Sequence, residues 1–85
     1  MPAKFFIISK KANRDAKKFP LNIHEKLGQA FDKLKENPLS GEKLQGKLKN
    51  YYKFRVGDYR IVYRLNSKES LIQVVKIEHR QGVYR

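Results

Sequence analysis

The sequence predicts a single α+β domain in which a helical hairpin packs on one face of an antiparallel four-stranded sheet. Three observations support this fold class. The chain has 85 residues, which suffices for one small hydrophobic core and for one domain, residues 1–85. Two adjacent segments in the N-terminal half have apolar residues at helical spacing, and the segments after them alternate apolar and polar residues as strands do. The resulting element order is β-α-α-β-β-β.

The first strand and the first helix are short. Lys4–Ser9 (KFFIIS) is dominated by Phe and Ile, a composition that favours a strand. Ser9 or Asn13 caps the helix that follows. Pro20 ends this helix, because proline lacks a backbone N–H and clashes with the preceding turn.

The second helix is longer and amphipathic. It begins near Asn22 and ends at Asn37-Pro38. Its apolar residues form one stripe, on the face expected to pack against the sheet. The stripe consists of Ile23, Leu27, Ala30, Phe31 and Leu34. Residues 39–50 (LSGEKLQGKLKN) then form a basic loop with two glycines.

The segment YYKFRVGDYRIVYR, residues 51–64, predicts a β-hairpin. Gly57-Asp58 fits a two-residue type II′ turn, in which glycine takes the first central position. Counting outward from this turn sets the register, which pairs Val56 with Tyr59, Arg55 with Arg60, Phe54 with Ile61 and Lys53 with Val62. A turn at residues 66–69 and a fourth strand at residues 71–79 (LIQVVKIEH) follow.

Alternation of side chains gives the hairpin two different faces. One face is apolar or aromatic and consists of Tyr52, Phe54, Val56, Tyr59, Ile61 and Tyr63. The other face consists of Lys53, Arg55, Arg60 and Val62. Like charges directly opposite each other destabilise a strand pair by roughly 0.2–1 kcal/mol, and the nearest acid in this segment is Asp58 in the turn. We therefore predict that the helices cover the aromatic face and that the cationic face is an open, concave anion site.

The charge of the chain indicates a polyanionic partner. Twenty Lys and Arg residues and eight Asp and Glu residues give a formal net charge of +12. Such a basic domain is expected to bind RNA, DNA, the ribosome surface or an acidic protein. The absence of cysteine excludes disulfides and zinc–thiolate sites and fits a reducing cytosol. No segment has the length of a membrane span or the pattern of a signal peptide, so we expect a cytoplasmic protein without membrane association.

The cationic face suits phosphodiester chemistry without a metal or cofactor. The sequence has no HExxH, GxSxG, phosphate-binding glycine loop or paired carboxylates, and its two histidines are too distant to suggest a metal site. Cleavage of a phosphodiester adds negative charge to the phosphoryl oxygens, and Arg55 and Arg60 can each bind two such oxygens. Lys53 is the candidate general base, because neighbouring cations favour the neutral form of an amine.

The C-terminal segment EHRQGVYR, residues 78–85, supplies three further candidates. His79 can donate or accept a proton near neutral pH. Arg80 adds a cation, and Tyr84 can stack on a nucleobase. Contacts with a nucleic-acid backbone are expected from three loop lysines, Lys43, Lys47 and Lys49.

Strand alternation separates two of these C-terminal residues. If Val75 and Ile77 face the core, strict alternation places His79 inward and Arg80 outward, with the cationic face. We therefore prefer Arg80 to His79 as a site residue, unless the strand bulges or ends at Glu78.

These motifs resemble those of the RelE/ParE superfamily of toxins, on its RelE side, which are the toxin halves of toxin–antitoxin pairs. The resemblance rests on LQGKLKNYYKFRVGDYRIVYRL and VVKIEHRQGVYR. The family pattern is followed closely by Leu44–Gly46, Tyr52–Tyr63 and Glu78–Tyr84. The β-α-α-β-β-β order is also that of the family, so the resemblance covers essentially the whole chain.

The resemblance implies a ribosome-dependent endoribonuclease that cleaves messenger RNA in the A site of the 30S subunit, without metal or cofactor. In such toxins the 2′-hydroxyl attacks the adjacent phosphate and the 5′-oxygen leaves. The implied roles are general base for Lys53, phosphate clamps for Arg55 and Arg60, transition-state stabiliser for Arg80 and positioning of the base or attacking hydroxyl for Tyr84. Some relatives use a histidine near His79 as acid or base. Arg55 stands where some members have lysine, which favours a purely electrostatic role there.

The resemblance also implies a partner, a small acidic RelB-like antitoxin. Two other functions stay open, because fold alone does not assign function. One is a ParE-like toxin that inhibits DNA gyrase, and the other is a non-catalytic, basic RNA-binding homologue. The joint presence of the cationic residues and Tyr84 favours the ribonuclease.

Overall fold

The structure, a computed structural model, describes residues 2–44, 46 and 50–80. In chain order its elements are β1 Phe5–Ile8, α1 Lys10–Lys17, α2 Leu21–Glu36, β2 Glu42–Lys43, β3 Tyr51–Val56, β4 Tyr59–Asn66 and β5 Leu71–His79. A 3-10 turn, Pro38–Ser40, joins α2 to β2. No helix within these residues is long and apolar enough to cross a membrane.

The strands form one five-stranded sheet in the order β1-β5-β4-β3-β2. The α+β class and the pair of helices are confirmed, while two details of the sheet differ from the prediction. Glu42–Lys43, predicted as loop, pairs with β3 as a short edge strand. β1 pairs with β5 in parallel, so the sheet is mixed. The alternation within a strand does not encode its neighbour, because backbone groups can pair in either direction.

The β3–β4 hairpin has the register predicted from its turn. The pairs are Val56 with Tyr59, Arg55 with Arg60, Phe54 with Ile61 and Lys53 with Val62. Gly57 has a φ of +60°, and Asp58 is not among the residues with positive φ. This combination is that of a type II′ turn, which needs a positive φ only at its first central position.

The aromatic face of the hairpin packs under the helices, as predicted. The buried core contains Ala12, Leu27, Ala30 and Leu34 from the helices and Ile61, Tyr63, Ile72, Val74 and Ile77 from the sheet. Tyr52 and Tyr63 stack with their ring centroids 5.4 Å apart. Phe54 and Val56 pack against the same cluster. Burial of this apolar surface leaves the cationic face of the hairpin on the open side of the sheet.

α1 covers the part of β5 that extends beyond β1. Ser9, one of the two residues predicted to cap α1, is its N-cap. Its Oγ accepts a hydrogen bond from the N–H of Ala12 at 3.1 Å. The same hydroxyl donates to the carbonyl oxygen of Val75 at 2.9 Å. A carboxylate oxygen of Asp15 accepts the N–H of Ile77 at 3.3 Å. Polar side chains at α1 therefore satisfy backbone groups of β5 that β1 does not reach.

A β-bulge in β5 changes which residues face the core. The β4–β5 register shifts by one residue between Val62 and Tyr63, which leaves Val75 without a partner on β4. Val74 and Ile77 belong to the buried core, and Val75 does not. Of the two residues on which the placement of His79 and Arg80 was conditioned, Ile77 therefore faces the core and Val75 does not, because one extra residue reverses the alternation at this point.

Tyr63 joins the hairpin to the chain that follows α2. Its buried hydroxyl donates to the carbonyl oxygen of Pro38 at 2.7 Å and accepts the N–H of Gly41 at 3.1 Å. Burial raises the pKa of Tyr63 to about 12. A Cβ at position 41 would lie 2.5 Å from the Tyr63 hydroxyl oxygen and 2.8 Å from the Lys53 carbonyl oxygen, so glycine is required there. This close approach holds β2 against β3.

Candidate functional site

The open face of the sheet carries charged residues in two rows that run across the strands. The row nearer the hairpin turn, here the turn row, consists of Arg55, Arg60 and Glu78. The next row, here the inner row, consists of Glu42, Lys53, Val62 and Lys76. Residues in register on neighbouring strands have their side chains on the same face and within reach of each other. The sheet therefore assembles charged groups from four strands on one surface.

A pocket of about 460 Å³ opens on this surface. Its apolar lining consists of Leu44, Tyr51, Val62 and Val75. Its charged lining consists of Lys11, Lys53, Arg60, Lys76 and Glu78. The bulge in β5 brings Val75 to this side, beside Val62. Apolar groups combined with cations suit a ligand that has both a planar apolar part and an anionic group, as a nucleotide has.

Carboxylates lie on this face beside the cations. Oε1 of Glu78 accepts hydrogen bonds from Arg60, at 3.0 Å from Nη2 and at 3.3 Å from Nε. Oε2 of Glu42 lies 3.8 Å from Nζ of Lys53. The expectation that Asp58 is the nearest acid is wrong, because β2 and β5 supply the acids and neither belongs to the hairpin. The face is therefore cationic but partly neutralised by its own neighbours.

Lys76 and Lys11 also line the pocket, and neither is among the site residues predicted from the sequence. Nζ of Lys76 lies 3.4 Å from Oε2 of Glu78, so each oxygen of this carboxylate contacts a cation. The sequence held a signal for Lys76 and Glu78, since the alternation that places Ile77 in the core places its two neighbours outward. Lys11 lies on α1 and pairs with Asp15 at 3.6 Å, and no sequence pattern connected this helix with the hairpin.

Arg55 and Arg60 lie opposite each other but in different surroundings. Arg55 is exposed and makes no ion pair with the residues that the structure describes. Arg60 is half-buried and is held toward β5 by Glu78. The carboxylate therefore offsets the like-charge repulsion that the register predicts. Arg60 also lines the pocket, and its Nη1 group donates to no residue that the structure describes.

His79 and Arg80 follow the predicted alternation at the end of β5. The His79 ring makes an edge contact with the ring of Tyr59, with centroids 4.7 Å apart, and Tyr59 in turn packs on Phe19 beneath the helices. His79 therefore lies on the covered side of the sheet, away from the two rows. Arg80 is exposed, and its N–H donates to the carbonyl oxygen of Asp58 at 2.7 Å. This bond holds Arg80 beside the hairpin turn, next to the turn row.

The remaining predicted residues are not among those described as lining the pocket. Lys43 is exposed on β2 in register with Tyr52, so its side chain lies on the helix-covered side of the sheet edge and not with the pocket. The predicted residues Lys47, Lys49 and Tyr84 fall outside the described residues. Within residues 2–44, 46 and 50–80, no group of three or more His, Cys, Asp or Glu side chains is placed to hold a metal ion.

Comparison with known proteins places this chain among toxins. A family model described as the ParE toxin of a type II toxin–antitoxin system, parDE, matches residues 6–84. The chain is 32% identical over 76 residues to Toxin RelG of Mycobacterium tuberculosis, and the match covers 87% of each chain. It is also 32% identical over 82 residues to the Putative toxin RelE1 of Methanocaldococcus jannaschii, covering 92% of this chain and 91% of that protein.

A solved structure has the same fold. A chain in the toxin–antitoxin complex RelBE2 from Mycobacterium tuberculosis superposes with a TM-score of 0.82 at 28% sequence identity. The match covers 94% of this chain and 93% of that chain. The two chains therefore share their overall fold.

Proposed function

Because the chain belongs to the RelE/ParE toxin superfamily and is a toxin of a RelBE-type toxin–antitoxin system, we propose that it is a ribosome-dependent, metal-free endoribonuclease. Its proposed substrate is messenger RNA in the A site of the 30S subunit, and its proposed location is the cytoplasm, where that substrate is found. The cationic pocket on the open face is the observation that carries this proposal.

The proposed reaction needs cations more than any other group. The 2′-hydroxyl of one nucleotide attacks the adjacent phosphorus, and negative charge grows on the non-bridging oxygens. Arg60 and Arg55 stabilise this charge from the turn row, and Arg80 supplies a third cation beside the hairpin turn. Lys53 lies in the same pocket as Arg60 and is the residue of the hairpin that transfers a proton.

The three C-terminal candidates, His79, Arg80 and Tyr84, are proposed to have different roles. Tyr84 is the residue proposed to position the nucleobase or the attacking hydroxyl. The contact of the His79 ring with Tyr59, on the covered side, favours Arg80 over His79 as the residue that meets the RNA. The pocket's apolar lining supports a nucleotide ligand, because a base can rest on it while the cations hold its phosphate.

The proposed partners follow from charge and from the relatives. A surface of a protein with net charge +12 attracts the phosphates of ribosomal and messenger RNA. The same charge suits an acidic antitoxin, and the similar solved structure is a toxin–antitoxin complex. We propose a small acidic, RelB-like protein that covers the open face or alters its geometry. The loop lysines Lys43, Lys47 and Lys49 are proposed to contact the RNA backbone.

A gyrase-inhibiting activity is the second candidate, because the matching family model is described as a ParE toxin. Such a protein acts by binding its target and has no need of an RNA-cleaving pocket. A non-catalytic RNA-binding protein would need the cations but not their arrangement around a scissile phosphate.

Primer extension on messenger RNA after induced expression separates these candidates. The ribonuclease should produce 5′ ends within codons, in phase with the reading frame, and only when ribosomes are engaged. Intact transcripts accompanied by DNA breaks would establish gyrase inhibition instead. Binding of RNA without any cut would leave only the non-catalytic activity.

A further inference from the structure

We propose that Glu78 is the general base that removes the proton of the attacking 2′-hydroxyl, an inference that rests on the proposed ribonuclease function. Among the described residues that line the pocket, Glu78 is the only acid. It lies in the turn row with the two arginines proposed to bind the phosphate. The pocket therefore holds a proton acceptor of a different chemical type from the lysine of the hairpin.

Glu78 is held in position by cations on both sides. Its Oε1 accepts hydrogen bonds from Nη2 and Nε of Arg60, at 3.0 Å and 3.3 Å. Its Oε2 lies 3.4 Å from Nζ of Lys76. A carboxylate has about four lone-pair sites, so these three contacts leave one for a substrate hydroxyl. The side chain is 27% exposed, which leaves it accessible from the pocket.

The contact between Glu78 and Arg60 makes the proposed base and a proposed phosphate ligand direct neighbours. The attacking oxygen and the non-bridging oxygens are bonded to one phosphorus in the transition state. The groups that contact these oxygens must therefore be neighbours in the protein. Arg60 can bind a non-bridging oxygen through Nη1 while the adjacent carboxylate contacts the 2′-hydroxyl.

A carboxylate suits this step better than a lysine. A carboxylate offers only acceptor sites and an ammonium group only donor sites, so the first suits the removal of a proton and the second its donation. Nζ of Lys53 lies 3.8 Å from Oε2 of Glu42, so the lysine has an anionic neighbour on this face. We therefore assign opposite roles to the two residues, with Glu78 as base and Lys53 as acid.

The step then balances with the groups present. The 2′-oxygen forms a bond to phosphorus and its proton passes to Glu78. The bond between phosphorus and the 5′-oxygen breaks, the electron pair stays on that oxygen, and the ammonium of Lys53 protonates it. The products are a 2′,3′-cyclic phosphate and a 5′-hydroxyl. Proton exchange with water restores both side chains, and nothing is oxidised or reduced.

The variant Glu78→Gln tests this role, because the amide keeps the size of the side chain and a hydrogen-bond acceptor for Arg60 but cannot act as the base. Single-turnover cleavage of messenger RNA on programmed ribosomes should fall by about 10²–10⁴-fold in rate. The apparent affinity for the ribosome complex should stay equal or rise, because a negative charge beside the phosphate is removed. Glu78→Asp keeps the carboxylate and should retain more activity than Glu78→Gln.

Glu69→Gln is the control, because it makes the same change in net charge at an exposed residue of the β4–β5 turn and should cleave at the wild-type rate. Equal thermal midpoints would show that all the variants are folded. Cleavage by Glu78→Gln at the wild-type rate or faster would make Glu78 a mere counter-ion and overturn the assignment. Equal losses in Glu78→Gln and Glu78→Asp, with weaker binding, would overturn it in favour of a role in positioning Arg60. Failure of the wild-type protein to cleave would instead overturn the ribonuclease proposal itself.

Discussion

The two faces of the β3–β4 hairpin are built from alternate residues of the same 14-residue segment, yet they acquire their surroundings in different ways. On the covered face, Phe54 and Ile61 meet the helices as the local apolar pattern requires. On the open face, Arg60 and Lys53 meet acids that come from β5 and β2, outside the hairpin. The comparison teaches that alternation tells which residues share a face, but not which charges will stand beside them.

The largest expected effect comes from the covered face, at Ile61. This residue is fully buried, so Ile61→Ala should lower the free energy of unfolding by about 2–5 kcal/mol. The cleavage rate per folded molecule should not change, because the side chain lies on the opposite side from the pocket. Urea denaturation followed by circular dichroism measures the first quantity. A loss below about 1 kcal/mol would show that the covered face is loosely packed.

The neighbouring residue, Arg60, should show the reverse behaviour. Arg60→Ala removes the guanidinium proposed to bind the phosphate and should lower the cleavage rate by about 10²–10³-fold, as loss of one transition-state donor does. Its effect on unfolding should stay below about 1 kcal/mol, because a partly exposed ion pair contributes little. Arg64→Ala is the matched control, since Arg64 is an exposed arginine of the same strand that does not line the pocket. Full toxicity of Arg60→Ala would refute the site.

Tyr63 tests whether the covered face also supports the open one. Tyr63→Phe keeps the ring but leaves the Pro38 carbonyl and the Gly41 N–H without their hydroxyl partner. The expected loss of stability is about 1–3 kcal/mol, measured by thermal denaturation. The cleavage rate should decrease only modestly, because β2 would be held less firmly against β3 beside Lys53. An unchanged thermal midpoint would mean that water replaces the hydroxyl at no cost.

The same hydroxyl predicts sensitivity to alkali. An unfolded tyrosine ionises near pH 10, whereas the folded pKa of Tyr63 is about 12. Because the folded pKa is raised, this stabilisation is complete below pH 10 and is lost as the pH rises to 12, by about 2–3 kcal/mol in total. Stability measured at several pH values should therefore fall more steeply for the wild type than for Tyr63→Phe. Parallel curves would contradict the shift.

The smallest effect is expected at Glu42, on the edge of the open face. Its contact with Lys53 is long and its side chain is 77% exposed. Glu42→Gln should therefore change the free energy of unfolding by less than about 1 kcal/mol, which calorimetry can establish. A larger loss would mean that this ion pair, and not the tyrosine hydroxyl, secures β2.

Much of the fold is readable from the sequence because its signals are local. The turn Gly57-Asp58 fixes the register of the hairpin, and the apolar stripe of α2 identifies the face that packs on the sheet. The bulge at Val75 is different, because an extra residue in a strand leaves no mark in composition and becomes visible only in the pairing with β4. The neighbour of β1 is likewise a property of the assembled sheet.

In the candidate site, too, some residues follow from local sequence signals and others depend on contacts between distant parts of the chain. The shared face of Lys53, Arg55 and Arg60 follows from the turn alone. The position of Glu78 could be predicted from the sequence, because it directly follows Ile77 and side chains of consecutive strand residues lie on opposite faces. Glu42 was not, because its position depends on the approach of Gly41 to Tyr63, which lies 22 residues further along the chain.

The parallel pairing of β1 with β5 has a consequence for how the protein is made. β1 leaves the ribosome first, but its partner residues, Leu71–Val74, follow only after both helices and the three other strands. At roughly 5–20 residues per second, β1 waits several seconds for the strand it joins. Lys76 and Glu78 arrive later still, so the nascent chain has neither a closed sheet nor a complete pocket. A protein proposed to attack translating ribosomes thus acquires its fold only when its own translation has passed β5.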